Sequence, residues 1–114
     1  MRNREILRIA ANVARMEFCP RDRIHWNPLD DDAEALRLSI RLGIGIEFIP
    51  PSPLDGRWLI VASVAASANR ERSIDVSRWV NDLNSPDVGR LTRRCIVLCA
   101  IEIAKWKKEH KGLA

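Results

Sequence analysis

At 114 residues and 13.0 kDa the chain has room for one domain with its own core and none for two. A composition of 46% apolar and 30% charged residues excludes a disordered or fibrous chain. The net charge of +4 admits nucleic acid or an acidic protein as partner, and the longest uncharged apolar stretch, residues 59–68, falls well short of the ~20 residues that span a bilayer.

Helix 1 is expected over residues 3–16, where Ile6, Leu7, Ile9, Ala10, Val13 and Ala14 recur at helical spacing behind Asn3 as N-cap. Residues 17–29 carry two prolines and no period, so they connect. Helix 2 is expected over about 31–42. Asp31 followed three residues later by Glu34 makes a capping box, and Gly43 closes the run. Residues 44–49 alternate as strand 1, three prolines end it, and Asp55-Gly56 turns the chain. Strand 2, residues 57–64, is apolar on both faces and belongs in the middle of a covered sheet. Strand 3, residues 73–77, offers only Ile74 and Val76 to one face and suits an edge. Asn84, Ser85, Pro86 and Asp87 start helix 3, which runs to about His110 with Gly112 beyond it. The order is α-α-β-β-β-α in a single domain, residues 1–114, of class α+β with a small three-stranded antiparallel sheet.

Residues 1–57 carry nine basic and nine acidic groups, so the whole excess lies in the second half, where residues 85–114 hold seven basic groups and three acidic ones. At 100° per residue, helix 3 puts Val88, Leu91, Cys95, Leu98, Cys99, Ile103 and Trp106 in one sector, the expected core face. Arg90, Arg93, Arg94, Lys105 and Lys108 gather opposite, with Val97 and Ile101 among them. Apolar side chains framed by cations make a docking surface for a protein partner. Two other arrangements explain the same residues: another element covers Val97 and Ile101, or the long cationic side chains lie over them. Exposure of the pair predicts that Ile101→Asp leaves thermal stability intact. Self-association through this surface would set like charges against each other.

Other chemistry is thinly signalled. Cys95 and Cys99 share a helix face and with Cys19 and His25 could hold zinc, but helical core cysteines read as small hydrophobes. Asp30, Asp31, Asp32 and Glu34 lack the spacing of a calcium loop and are explained by capping. There is no nucleophile elbow, phosphate-cradling glycine loop or HExxH pair. The reading is therefore a non-enzymatic chain without cofactor or metal, monomeric or homodimeric, with no membrane association. Nucleic-acid binding is the alternative, although Trp106 is assigned to the core and no recognition motif appears. Three cysteines and an N-terminus without an apolar leader point to free thiols in a reducing cytoplasm.

Trp26-Asn27-Pro28-Leu29 is a rigid lead-in to the capped helix: the proline fixes its approach, the tryptophan packs and Asn27 bonds nearby backbone. With NREILRIAANVA at the start, WNPLDDDAEALRLSIRLGI in the centre and LTRRCIVLCAIEIA in the last helix, the chain resembles the phage ABA sandwich family of small bacteriophage and prophage proteins. Asp32 replaces a frequent glycine of that family, and Leu91, Cys95 and Cys99 replace small residues. The resemblance implies a three-layer α/β/α sandwich with the sheet between helix layers, a phage or prophage origin and an accessory role. It brings no catalytic residue or cofactor. Inhibition of a host defence factor would suit such a protein, though no residue singles it out.

Overall fold

The structure is a computed structural model that describes residues 2–15, 26–54, 56–67 and 70–110. Its elements are α1 (Asn3–Ala14), α2 (Asp32–Leu42), β1 (Gly45–Ile49), β2 (Trp58–Val64), β3 (Ile74–Val80) and α3 (Val88–Glu109). This is the expected α+β order. Expectations for Met16, Cys19, His25, Asp55 and Gly112 lie outside the described residues.

The α1 helix buries Ile6, Leu7, Ala10, Ala11 and Ala14. Asn3 is its first helical residue rather than its cap. Arg2 holds the cap position without a side-chain bond, and its carbonyl accepts from Ile6 N–H. The helix ends at Arg15 in the left-handed region. Arg41 of α2 reaches back to this end, donating Nε to the Ala14 carbonyl at 3.0 Å and Nη2 to the Arg15 carbonyl at 3.4 Å. A guanidinium thus satisfies carbonyls that the helix terminus leaves open.

The start of α2 follows from local chemistry. Asp31 Oδ1 accepts from Glu34 N–H at 3.0 Å, so Asp31 is the N-cap as read; the Glu34 carboxylate binds Arg37. Asn27 organises the turn before it. Its Oδ1 accepts from Leu29 N–H, its Nδ2 donates to Asp30, and its carbonyl accepts from Asp30 and Asp31 N–H. Trp26, Pro28 and Leu29 are buried around this turn. At the other end Gly43 takes φ 72°, and the Ile40 and Ser39 carbonyls accept from Gly43 and Ile44 N–H. A Cβ at Gly43 would meet nothing within 4 Å, so Gly43→Ala isolates the backbone cost. It should lower the free energy of unfolding by about 1 kcal/mol in urea melts, with an unchanged m-value.

The sheet order is β1-β2-β3, antiparallel throughout, with Ile60 paired to Phe48 on one side and Arg78 on the other. β2 is the middle strand, as its two apolar faces imply. Ile60 and Ala62 on its inward face are fully buried. Its outward face carries Leu59 in a row with Ile49 and Trp79; Trp79 is 46% exposed beneath the Arg57 guanidinium. β3 continues past residue 77 to Val80, whose side chain is buried.

The layer order departs from the expected sandwich, which placed the sheet in the middle. α3 holds that place. It packs on β2 and β3 from one side and on α1 and α2 from the other. The cause lies in its own residues: Cys95, Ile96, Val97, Cys99, Ala100, Ile101 and Ile103 are all buried. Buried apolar residues on two opposite flanks of a helix require a covering layer on each. α3 begins after the expected cap, at Val88, with the turn before it held by Val88 N–H donating to the Ser85 carbonyl.

Candidate interaction groove

The expected docking face on α3 does not form. Val97 is 0% exposed and Ile101 is 4% exposed, covered by the helical layer opposite the sheet. The cations expected to frame them are dispersed. Arg93 turns toward the start of α2, donating Nε to the Leu29 carbonyl at 2.8 Å and Nη1 to Asp32 at 2.7 Å. Arg90 binds Asp87, and Lys105 binds Glu102 at 3.2 Å. Arg94 is half-buried, and Lys108 is exposed. The acidic cluster is also committed. Asp30 bonds Asn27, Asp31 caps α2, Asp32 binds Arg93 and Glu34 binds Arg37.

The open side of the molecule lies elsewhere, where β3 forms one border of the sheet. A groove of about 610 Å³ runs along it, lined by residues 73–78 together with Leu98 and Glu102 of α3. A second hollow of about 460 Å³ shares Ser73 and Ile74 and continues past Arg70, Arg72, Trp106 and His110. Leu98, Glu102, Trp106 and His110 stand four residues apart, so they form one ridge along α3. Helix and strand run in opposite directions here: Cys99 Sγ donates to the Ile74 carbonyl near the start of β3, and Cys95 lies by Arg78 near its end. The free edge of β3 is one wall of the groove and the α3 ridge is its floor.

Trp106 and Leu98, assigned to the core face by angular counting, are half-buried residues of this floor. Trp106 stacks on His110 with ring centroids 4.6 Å apart and planes 14° from parallel. The Arg70 guanidinium lies 5.5 Å from the Trp106 ring centre. Its Nη2 donates to the Ala65 carbonyl at 2.7 Å, which fixes its place. Arg78 donates to the Ser77 carbonyl at 2.7 Å and has no acidic partner among the described residues.

Cys95 and Cys99 are buried free thiols, and no group of three metal-ligating side chains occurs among the described residues. Burial pushes the Cys99 thiol up to about 12, with Asp75 adding to the rise and Arg70 opposing it; burial also raises Cys95, against Arg78. Both should resist a thiol reagent in the folded protein at neutral pH and react on unfolding. A folded value above the ordinary 9.0 stabilises the fold below pH 9.0, and that contribution is lost as pH rises toward about 12. Alkaline melting should therefore be less steep in Cys99→Ala than in the parent, measured over that range.

Among the described residues no helix is long and apolar enough to cross a membrane. No family model, no curated protein and no solved structure matches this chain.

Proposed function

We propose that the chain is a non-enzymatic binding protein that docks an extended polypeptide strand in the β3–α3 groove. The observation that carries this reading is a seven-residue border strand whose free edge adjoins an open groove floored by a helix ridge. A peptide added to such an edge gains main-chain hydrogen bonds from the strand and side-chain specificity from the floor. β3 contains no proline and is free of lysine, two common guards of an exposed edge. The resemblance to the phage ABA sandwich family supports an accessory role in a phage or prophage setting within a bacterial host, with inhibition of a host defence factor as one form of it.

A library of extended peptides selected against the protein tests the reading. Binders should slow amide exchange in residues 74–78 and should lose affinity for Leu98→Asp at temperatures where circular dichroism shows that variant folded. Binders whose footprint avoids β3 would reject it.

A second reading is favoured by the Trp106–His110 stack beside Arg70 and Arg72. Aromatic rings interleaved with cations suit unstacked bases of a single strand. Gel shifts with generic single-stranded DNA and RNA should then weaken steeply with salt and vanish in Trp106→Ala. Absence of any shift at low salt would reject this reading.

A further inference from the structure

We infer that the strand this groove accepts is β3 of a second copy of the same chain, paired antiparallel so that two sheets join into one of six strands. The inference rests on the reading of the groove as a strand acceptor and names its occupant. Two features of the groove favour a second copy over an isolated peptide.

The first is charge. Arg78 stands at one end of the groove, while Asp75 and Glu102 stand toward the other. A two-fold axis beside Val76 reverses the second strand. It sets Arg78 of each copy across from Ile74 of the other, within reach of the other's Glu102. The same register sets Asp75 across from Ser77, a hydroxyl that can donate to the carboxylate. Opposite charges meet twice in this pairing, and it puts no like charges directly opposite. Among the described residues Glu102 holds only the exposed Lys105, a weak competitor for a guanidinium.

The second is the floor. α3 lies under β2 and β3 to a similar extent, so its axis runs beneath the gap between them. Neighbouring strands sit about 4.8 Å apart, and a two-fold normal to the sheet at the joined edge therefore keeps both α3 helices on one face and brings them to about 10 Å, the usual spacing of packed helices. Leu98 of one copy then covers Leu98 of the other. A lone peptide reaches that ridge only with the side chains of one face and brings no second helix to pack against it.

Sedimentation equilibrium of the intact chain over the micromolar range tests the inference. A monomer–dimer equilibrium is expected. Arg78→Glu and Glu102→Arg should each weaken it at least about tenfold. The two single variants mixed together should associate, because Arg78→Glu then faces Glu102→Arg and the native pair remains on the other side of the axis. The double variant should also recover dimer formation. A chain monomeric at every concentration, or a dimer indifferent to these reversals, overturns the inference. A synthetic peptide spanning residues 73–80 separates its failure from that of the underlying reading. Peptide protecting β3 of a monomeric chain would leave the strand-accepting groove standing and remove the second copy as its occupant. No peptide binding and no dimer would remove both.

Discussion

Val97→Asp and Ile101→Asp are each expected to abolish cooperative folding. At 0% and 4% exposure, neither site gives a carboxylate access to water. Both sites lie in a helix packed between the sheet and the other two helices, away from the ridge that lines the groove. Placing an unpaired charge there costs several kcal/mol, and the lost packing adds to it. A domain of this size has a stability of about 5–15 kcal/mol, so the change takes most or all of it. Circular dichroism should show no sharp thermal transition for either variant. A native-like melt with Ile101→Asp would put this side chain at the surface and dismantle the layer order. Lys108→Asp, on an exposed site of the same helix, should leave the transition within about 0.5 kcal/mol of the parent.

Trp26→Ala should be the most damaging truncation outside α3, at about 3–5 kcal/mol. The indole is buried in the turn that delivers the chain to α2, beside Pro28 and Leu29. Its removal opens a cavity under the Asn27 hydrogen bonds that define this turn. Trp26→Phe supplies the control. Trp26 Nε1 is buried without a partner among the described residues, so the indole carries a desolvation cost that phenylalanine lacks. Phe should therefore recover most of the stability, seen as a urea midpoint much closer to the parent than that of the alanine variant. Equal losses for the two would mean that the site depends on a bond from Nε1.

Elements set by neighbouring residues were readable in the sequence. Asp31 capping α2, Gly43 closing it and Asn27 bonding the turn all depend on groups within a few positions of each other. β2 was readable as the middle strand because apolar residues occupy both parities, but the cover this implied on both faces is present on the Ile60 and Ala62 face alone among the described residues. The place of α3 was not, and the cause is physical. Projection down the helix axis put Arg90, Arg93 and Arg94 in one sector with Lys105 and Lys108 and made a continuous basic face. Along the axis these groups sit at opposite ends, and residues 95–101 between them carry no charge at all. Two uncharged turns are the signature of a helix packed between two layers, and axial position discriminates where angle does not. Arg93 also depends on Asp32, 61 residues away, a partner that no local pattern reveals. The groove is harder still to read, because it exists only once β3 is laid against the ridge of Leu98, Glu102, Trp106 and His110.

Residue-resolved amide hydrogen exchange at low and high protein concentration tests the central claim most directly. Amides of residues 95–103 should be the slowest in the molecule at both concentrations, opening only with global unfolding. Amides of residues 74–78 on the free edge should exchange quickly in dilute solution and slow as concentration rises. Fast exchange within α3, or protection of β3 that is indifferent to concentration, would contradict the account.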